Sequence, residues 1–214
     1  MVTFYQFPIS HFCEKIRWAL DFKDIEYKIV NMIPGLHINQ TKRMGVKSLV
    51  PILKHEDQFI QGSSEIIDYL DLTFPKKSLT PKDDTLKKEA LYWGNYLANE
   101  VGVPVRLCVY HILLGHPKIV KPFFSHNGPW YGNLFLTFAY SKLVSKMRYF
   151  MKINSETAKE SKRQLSKAID RLDEHYQNNQ YLVGDQFTRA DFSAATLLAP
   201  LSMQSKYGLA KRYT

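Results

Sequence analysis

A charged stretch with two prolines, PKKSLTPKDD at Pro75–Asp84, divides the chain into two parts with different hydrophobic patterns. Prolines and clustered charges interrupt helices and strands, so this composition is typical of a linker. Before it, short apolar runs alternate with helical periodicity, whereas after it the pattern is helical almost throughout. The 214 residues are enough for two small domains. We therefore expect a domain at 1–75, a linker at 76–84 and a second domain at 85–214.

The N-terminal part predicts a small sheet with helices. Its hydrophobic spacing predicts strands at Val2–Phe7, Ile25–Met32, Val50–Lys54 and Gln58–Gln61, and helices at His11–Phe22 and Ser63–Phe74. This order is βαβ followed by ββα. The first unit predicts a parallel pair of strands with a right-handed crossover, and the second predicts a hairpin followed by a helix.

The C-terminal part predicts an all-helical domain. A long helical segment at Thr85–His111 is expected to break near Pro104. Three prolines and two glycines at His116–Gly132 predict a loop. Two more helices are predicted at Asn133–Ile153 and Asn154–Asn178, and the second is clearly amphipathic. The expected fold class is thus an α+β domain followed by an all-α domain.

The charge of the chain is unevenly distributed. The formal net charge is +9, of which residues 1–75 carry −1 and residues 76–214 carry +10. A basic part of this kind attracts nucleic acid, anionic lipid or acidic small molecules, or is simply a solvated surface. No Lys/Arg tract is interleaved with aromatic residues, so we expect no nucleic-acid partner. No apolar run reaches the ~18 residues of a membrane span, so we expect no such span.

The cysteine content indicates a reducing compartment. Cys13 and Cys108 are too few for a disulfide framework, and no Cys or His pairs have the spacing of a zinc site. The first residues lack the basic and apolar segments of a signal peptide. We expect a cytoplasmic protein without a metal.

The predicted strand-to-helix junction, FPISHFCEKIRWAL at Phe7–Leu20, places Ser10 and Cys13 three residues apart. Pro8 cannot donate to a sheet, so Ser10 is expected to lie just before the helix. Its hydroxyl can simply cap the helix or can bind an anion at the positive helix end. Cys13 is either a buried apolar residue or a nucleophile. Spacing alone favours the structural role for each residue and leaves the other open.

Two further features belong to the same part of the chain. Val50-Pro51 opens a predicted strand, and its peptide bond is either trans, which is far more common, or cis. Gly62-Ser63 precedes the last helix of this part and offers hydroxyl and free N–H groups. Two helix N-termini beside a proline-defined strand edge predict a shallow site for an extended, anionic, peptide-like ligand.

Four separated motifs resemble those of the cytosolic glutathione transferases, and they occur in the family's order: SHFCEKIRWAL, VPIL, GSSEIIDYLD and GDQFTRADFSAATLL. The resemblance covers nearly the whole chain. Its first motif is similar to the active-site junction of serine-type classes such as theta and zeta, in the style of bacterial members. The resemblance implies a thioredoxin-like N-terminal domain, an all-helical C-terminal domain and a homodimer.

The resemblance also implies a function and a set of site residues. Ser10 would donate a hydrogen bond to the sulfur of glutathione, the co-substrate, whose thiolate attacks a small hydrophobic electrophile in detoxification. Ser63 would hold the γ-glutamyl group, and the Val50-Pro51 bond would be cis. The residues expected to contact glutathione are Ser10, Phe12, His37, Lys47, Val50, Pro51, Gln61, Gly62 and Ser63.

Two departures from the family pattern affect how glutathione is held. Gly62 stands where many members have an acidic residue or Gln, so the ligand's amino group is expected to be held otherwise, by Gln61 or a partner subunit. Leu49 replaces a common Lys, so Lys47 or His37 is expected to face the glycyl carboxylate.

Other functions on the same fold remain open. A glutathione-dependent thiol-disulfide or peroxide reductase would need a reactive thiol, but Cys13 lies later than the catalytic cysteine of cysteine-type members. A tyrosine-type enzyme is disfavoured because Tyr5 falls one place early and so points to the other face of its strand. A further alternative is a non-catalytic protein that binds glutathione on the same fold. The sequence does not assign the electrophile.

The last motif, Thr188-Arg189-Ala190-Asp191, predicts a helix cap. Thr188 can accept from the backbone N–H of Asp191, and Asp191 can accept from that of Thr188, as in a capping box. Phe187 and Phe192 have the spacing of a hydrophobic staple. We interpret Thr188 and Asp191 as structural residues.

Overall fold

The computed structural model describes residues 1–202, and the first part of the chain forms one mixed four-stranded sheet. The strand order is β2-β1-β3-β4; β1 is parallel to β2 and antiparallel to β3, and β3 is antiparallel to β4. The strands are β1 (Val2–Gln6), β2 (Tyr27–Asn31), β3 (Ile52–His55) and β4 (Gln58–Gln61). The predicted βαβ unit and hairpin are confirmed.

Three helices accompany the sheet: α1 (His11–Phe22), α2 (His37–Arg43) and α3 (Ser63–Thr73). Phe4 of β1 and Leu53 of β3 form a fully buried core with Ile16 of α1 and Ile66 of α3. Apolar residues at helical spacing on α1 and α3 explain why both helices pack against the strands. Helix α1 is also contacted by the last helix of the second part, Arg189–Ser202, and so lies between the two parts.

The second part of the described chain is helical, as predicted. Its helices are α4 (Asp84–Leu97), α5 (Val103–Leu113), α6 (Pro117–Ser125), α7 (Gly132–Phe150), α8 (Ser155–Asn178) and α9 (Arg189–Ser202). A π-helical turn, Ala98–Gly102, joins α4 to α5. The amphipathic helix predicted at Asn154–Asn178 is α8, with Asn154 as its N-cap. Residues 203–214 of the predicted second domain lie outside the described residues.

Two local predictions in this part differ from the structure. The loop predicted at 116–132 is wrong, because it contains α6. Pro117 lies in the first turn of α6, where a missing N–H costs nothing, and Val120 and Phe124 are buried one turn apart. The break expected near Pro104 is the π-helical turn just before it. Pro104 itself lies in the first turn of α5, where proline is tolerated.

A buried guanidinium connects the two parts. Arg189 of α9 is 1% exposed and donates hydrogen bonds to Ser64 Oγ (2.7 Å), the Ser64 carbonyl (3.2 Å) and Thr80 Oγ1 (3.2 Å), and it pairs with Asp68. Ser64 and Asp68 belong to α3, so this one side chain fixes the start of α3 against α9. Thr80 belongs to the stretch predicted as a linker, which is therefore also held in place.

The predicted cap of α9 is present with one difference. Asp191 Oδ2 accepts from the backbone N–H of Thr188 (2.9 Å), as predicted, but Thr188 Oγ1 accepts from the N–H of Ala190 (3.2 Å) rather than that of Asp191. Asp191 Oδ1 also accepts from the N–H of Leu182 (2.8 Å), which the sequence did not predict. The rings of Phe187 and Phe192 lie 5.1 Å apart, consistent with the expected staple.

We expect Asp191→Ala to lower the free energy of unfolding by roughly 2–4 kcal/mol, because it removes the cap and leaves buried N–H groups of Thr188 and Leu182 without acceptors. Urea unfolding followed by circular dichroism measures this change. The exposed Asp185 gives a matched control, since Asp185→Ala removes a carboxylate that caps no helix. Equal stability of the two variants would contradict the interpretation of Asp191.

Candidate functional site

Ser10 occupies the N-cap position of α1. Its backbone N–H donates to the Phe7 carbonyl (3.0 Å), which turns the chain after β1, and its Oγ accepts from the N–H of Cys13 (3.3 Å). A hydroxyl has one proton and two lone pairs. Capping uses one lone pair and leaves the proton for donation, to the neighbouring Cys13 sulfur or to a bound anion. Capping the helix and donating to an anion are therefore compatible roles for this partly exposed side chain.

Cys13 lies in the core between α1 and the sheet. Its side chain is 0% exposed and packs in the same cluster as Ile16 and Leu53. Burial raises the pKa of the Cys13 thiol, despite the opposing hydrogen bond from Ser10. A neutral, inaccessible thiol is a poor nucleophile, so the geometry favours the packing role.

His11 and Phe12 dock α1 onto the π-helical turn. The His11 Nε2–H donates to the carbonyl of Gly102 (2.9 Å), and Phe12 Cζ lies only 2.7 Å from where a Cβ of residue 102 would be. Only glycine at position 102 allows this approach. Burial lowers the pKa of His11 to about 4, with Arg106 of α5 adding to the effect, so the ring is neutral near pH 7. Phe12, expected to contact glutathione, thus has its ring against Gly102.

The remaining residues of the predicted site lie at one edge of the sheet, where β1 and β4 end and β3 begins. Tyr5 of β1 pairs with Ile52, and Ile52 pairs with Gln61. The Ser10 junction after β1, Pro51 before β3 and Gly62 after β4 are therefore brought together. The Val50-Pro51 peptide bond is cis, as the resemblance implied and as spacing alone did not.

Gln61 and His37 hold the loop before Pro51. The Gln61 amide donates to the carbonyls of Lys47 (2.7 Å) and Leu49 (2.8 Å), and its oxygen accepts from the N–H of Lys47 (3.0 Å). His37 Nε2–H donates to the Ser48 carbonyl (3.3 Å), while its ring packs 4.9 Å from that of Phe7. Burial lowers the pKa of His37, which favours the neutral ring. Both donors of the Gln61 amide are thus used within the chain, and the Lys47 side chain is exposed beside them.

The start of α3 combines a glycine, a hydroxyl and a carboxylate. Gly62 has φ +105°, a conformation that favours glycine, and a Cβ there would overlap the Glu65 carboxylate. The Glu65 side chain therefore folds back over the position that a side chain of residue 62 would take. The Ser63 hydroxyl has no hydrogen-bond partner among residues 1–202, whereas the neighbouring Ser64 is held by Arg189.

Several of these residues were missed from the sequence. Lys15 is buried behind the start of α3, and burial together with the charge of Arg189 lowers its pKa to about 7, against the opposing effect of Asp68 and Glu65. Tyr110 of α5 lies near Arg106, and burial raises its pKa to about 12. Of the residues in this paragraph and the contacts around them, Gly102 is the one that the sequence could have indicated, because an isolated glycine inside a helical pattern often marks a close packing contact.

Among residues 1–202, no three His, Cys, Asp or Glu side chains cluster closely enough to hold a metal ion. Within the same range, no helix has both the length and the apolar character needed to cross a bilayer.

Comparison with known proteins identifies related chains. Residues 4–78 match the model for "Glutathione S-transferase, N-terminal domain" and residues 137–211 match that for "Glutathione S-transferase, C-terminal domain". Glutathione S-transferase 1 of Dianthus caryophyllus is 37% identical over 149 residues, which are 59% of this chain and 66% of the relative. A probable glutathione S-transferase of Nicotiana tabacum is 27% identical over 106 residues, or 49% and 46% of the two chains. The chain thus spans between about half and two thirds of these relatives.

Solved structures support the same fold. The beta-etherase LigF from Sphingobium sp. strain SYK-6 superposes with a TM-score of 0.70 at 20% identity, covering 100% of this chain and 88% of that one. A glutathione S-transferase from Rhodospirillum rubrum F11 gives a TM-score of 0.64 at 17% identity, covering 94% and 78%. At these identities the likeness concerns the fold alone.

We expect stability to fall as the pH drops from 6.5 towards 4. The folded pKa of His11, about 4, lies below the unfolded value of 6.5, so over this interval the unfolded chain binds a proton that the folded chain does not. The loss attributable to His11 is roughly 3 kcal/mol. Urea unfolding at several pH values measures it.

His11→Asn should reduce this pH dependence, whereas His116→Asn, which changes an exposed histidine, should leave it unaltered. Identical pH profiles for wild type and His11→Asn would show that His11 is not the titrating group.

Proposed function

Since this chain belongs to the glutathione S-transferase family, we propose that it is a serine-type, theta/zeta-like transferase that conjugates glutathione to a small hydrophobic electrophile. The observation that carries the proposal is the double use of Ser10. Its oxygen caps α1, while its proton, which also reaches the Cys13 sulfur, is proposed to donate to a ligand sulfur at the positive end of the helix.

The proposed role of Ser10 is to stabilise the thiolate of bound glutathione. A free thiol has a pKa of about 8.5, so little of it is ionised at neutral pH. A hydrogen bond to a charged group contributes roughly 1.5–3 kcal/mol, which corresponds to a pKa lowered by about one to two units. The thiol proton leaves to solvent, and the sulfur electron pair forms a bond to the electrophilic carbon, whose bond to the leaving group breaks so that this group departs with its electron pair. Ser10 is not itself the nucleophile.

The shared sheet edge supports a binding mode for the tripeptide. We place the cysteinyl residue beside Val50 and Pro51, and the γ-glutamyl carboxylate at Ser63, whose hydroxyl has no partner among the described residues. Lys47 supplies a cation for the glycyl carboxylate, at the loop that Gln61 and His37 hold in place.

Glu65 supplies the group that the sequence lacks at Gly62. The α-ammonium of the γ-glutamyl residue needs an acceptor close to Ser63, and the Glu65 carboxylate covers Gly62 at that point. A charge-assisted hydrogen bond to Glu65 therefore replaces the contact that we had expected from Gln61 or a partner subunit, since both donors and one acceptor site of the Gln61 amide already serve the loop.

A reductase on the same fold is less well supported. It would need an accessible low-pKa thiol, whereas Cys13 is buried with its pKa raised, and burial also raises the pKa of the partly exposed Cys108. A homodimer and a cytoplasmic location complete the proposal, as the family resemblance implies them.

We expect Ser10→Ala to lower kcat/KM with an electrophilic substrate roughly 10- to 100-fold, because it removes the donor to the thiolate. The pKa of the bound glutathione thiol, followed by thiolate absorbance, should rise by about one to two units. Ser10→Thr, which keeps a hydroxyl, should retain most activity, and Cys13→Ala should retain it as well. Activity lost only in Cys13→Ala would favour the reductase, and no glutathione binding by the wild type would favour a non-catalytic protein.

We expect Glu65→Gln to raise KM for glutathione roughly tenfold with little change in kcat, because a charge-assisted bond to the ammonium is lost. A glutathione analogue without the α-amino group should bind wild type and Glu65→Gln equally. Glu56→Gln, in the turn between β3 and β4, is a matched control. A KM for the analogue that rises as much as that for glutathione would refute a contact between Glu65 and the ammonium.

A further inference from the structure

Helix α7 exposes several large apolar side chains among polar ones, while its other side is buried. Leu136 and Tyr140 on its inner side pack in a core with Phe124 of α6. Leu134, Phe138 and Tyr149 are exposed on its outer side. Residues spaced by 4 and 11 positions recur on one face of an α-helix, so these three share a face, on which Lys142 and Ser145 lie between Phe138 and Tyr149.

Further large apolar side chains are exposed near both ends of α7. Trp130 just before α7 is 87% exposed, Phe138 is 83%, Tyr149 is 79% and Phe150 is 76%. We call Trp130, Leu134, Phe138, Tyr149 and Phe150 the aromatic stripe. Single exposed apolar residues are common on protein surfaces, whereas several large ones on and beside one helix indicate an interaction surface.

The neighbouring helix shows what a solvated face looks like in the same molecule. The exposed side of α8 carries Lys159, Glu160 and Arg163, and the last two form an ion pair. The difference lies in the side chains and not in the packing, since each helix has its other side buried.

The charge around the stripe is of one sign. Residues 101–155 contain no Asp or Glu but seven Lys or Arg, of which five are Lys. Lys142 and Lys146 are exposed on α7 itself, between Phe138 and Tyr149 along the helix. A surface of this charge attracts an anionic partner. The uneven net charge of the sequence is thus concentrated, in part, around exposed aromatic residues.

We propose that the aromatic stripe and the lysines beside it bind the surface of a bilayer containing anionic phospholipids. Aromatic and leucine side chains enter the headgroup boundary, while lysine ammonium groups reach the phosphates. Lysine is depleted from protein–protein interfaces, so a surface rich in lysine fits a lipid partner better than a protein partner. Because no described helix can cross a bilayer, the contact is peripheral.

Sedimentation of the full chain with vesicles tests the proposal. We expect binding to phosphatidylcholine mixed with phosphatidylserine, weakened by salt, and little binding to phosphatidylcholine alone. Phe138→Ser should weaken binding roughly tenfold, since it removes the burial of one large apolar side chain. Lys142→Glu with Lys146→Glu should remove the preference for phosphatidylserine. The matched control is Leu72→Ser, which replaces a leucine that is 83% exposed on α3 and should bind as wild type does.

Tryptophan fluorescence gives a second readout. The emission should shift to the blue on adding the anionic vesicles, and the shift should be absent in Trp130→Phe. No binding to phosphatidylserine vesicles, or unchanged binding by Phe138→Ser, would overturn the proposal. So would a wild-type dimer that Phe138→Ser dissociates in equilibrium sedimentation, because a second copy of the chain would then cover the stripe.

Discussion

Arg189 forms the contact on which the relative position of the two parts depends. A buried cation is costly unless it is hydrogen-bonded and paired, and Arg189 meets this requirement only with acceptors from α3 and from Thr80. Packing of α9 against the start of α3 therefore satisfies this buried charge. Ser63 lies directly before Ser64, the residue that Arg189 holds, so a side chain of the helical part fixes the proposed place of the γ-glutamyl group.

Helix α1 of the first part likewise depends on the helical part for its position. Its N-cap, Ser10, projects from a helix whose next two residues dock on Gly102 through a hydrogen bond and a close ring contact. The π-helical turn makes this docking point, and such turns are frequent at functional sites. The proposed catalytic hydroxyl is therefore oriented by the sheet through β1 and by the helical part through His11 and Phe12.

The sequence predicted the elements whose periodicity is strong, and it failed where tertiary contacts decide. The parallel β1–β2 pair, the β3–β4 hairpin and α8 followed from apolar spacing, whereas the antiparallel pairing of β1 with β3 did not. Helix α6 was missed because its prolines indicate a loop, although they are tolerated where Val120 and Phe124 are buried. For Ser10, spacing could identify the cap but not the hydrogen bond from its hydroxyl to Cys13. The roles of Gln61 and Glu65 could not be predicted, since each depends on how a side chain folds back onto neighbouring backbone.

The arrangement at Gly62 has a consequence for how such a chain can change over evolutionary time. The volume that a side chain at position 62 would fill is taken by Glu65, and the backbone there has a conformation suited to glycine. A side chain introduced at 62 would have an unfavourable φ and would displace the Glu65 carboxylate from its present place. We therefore expect the effects of substitutions at 62 and 65 to depend on each other.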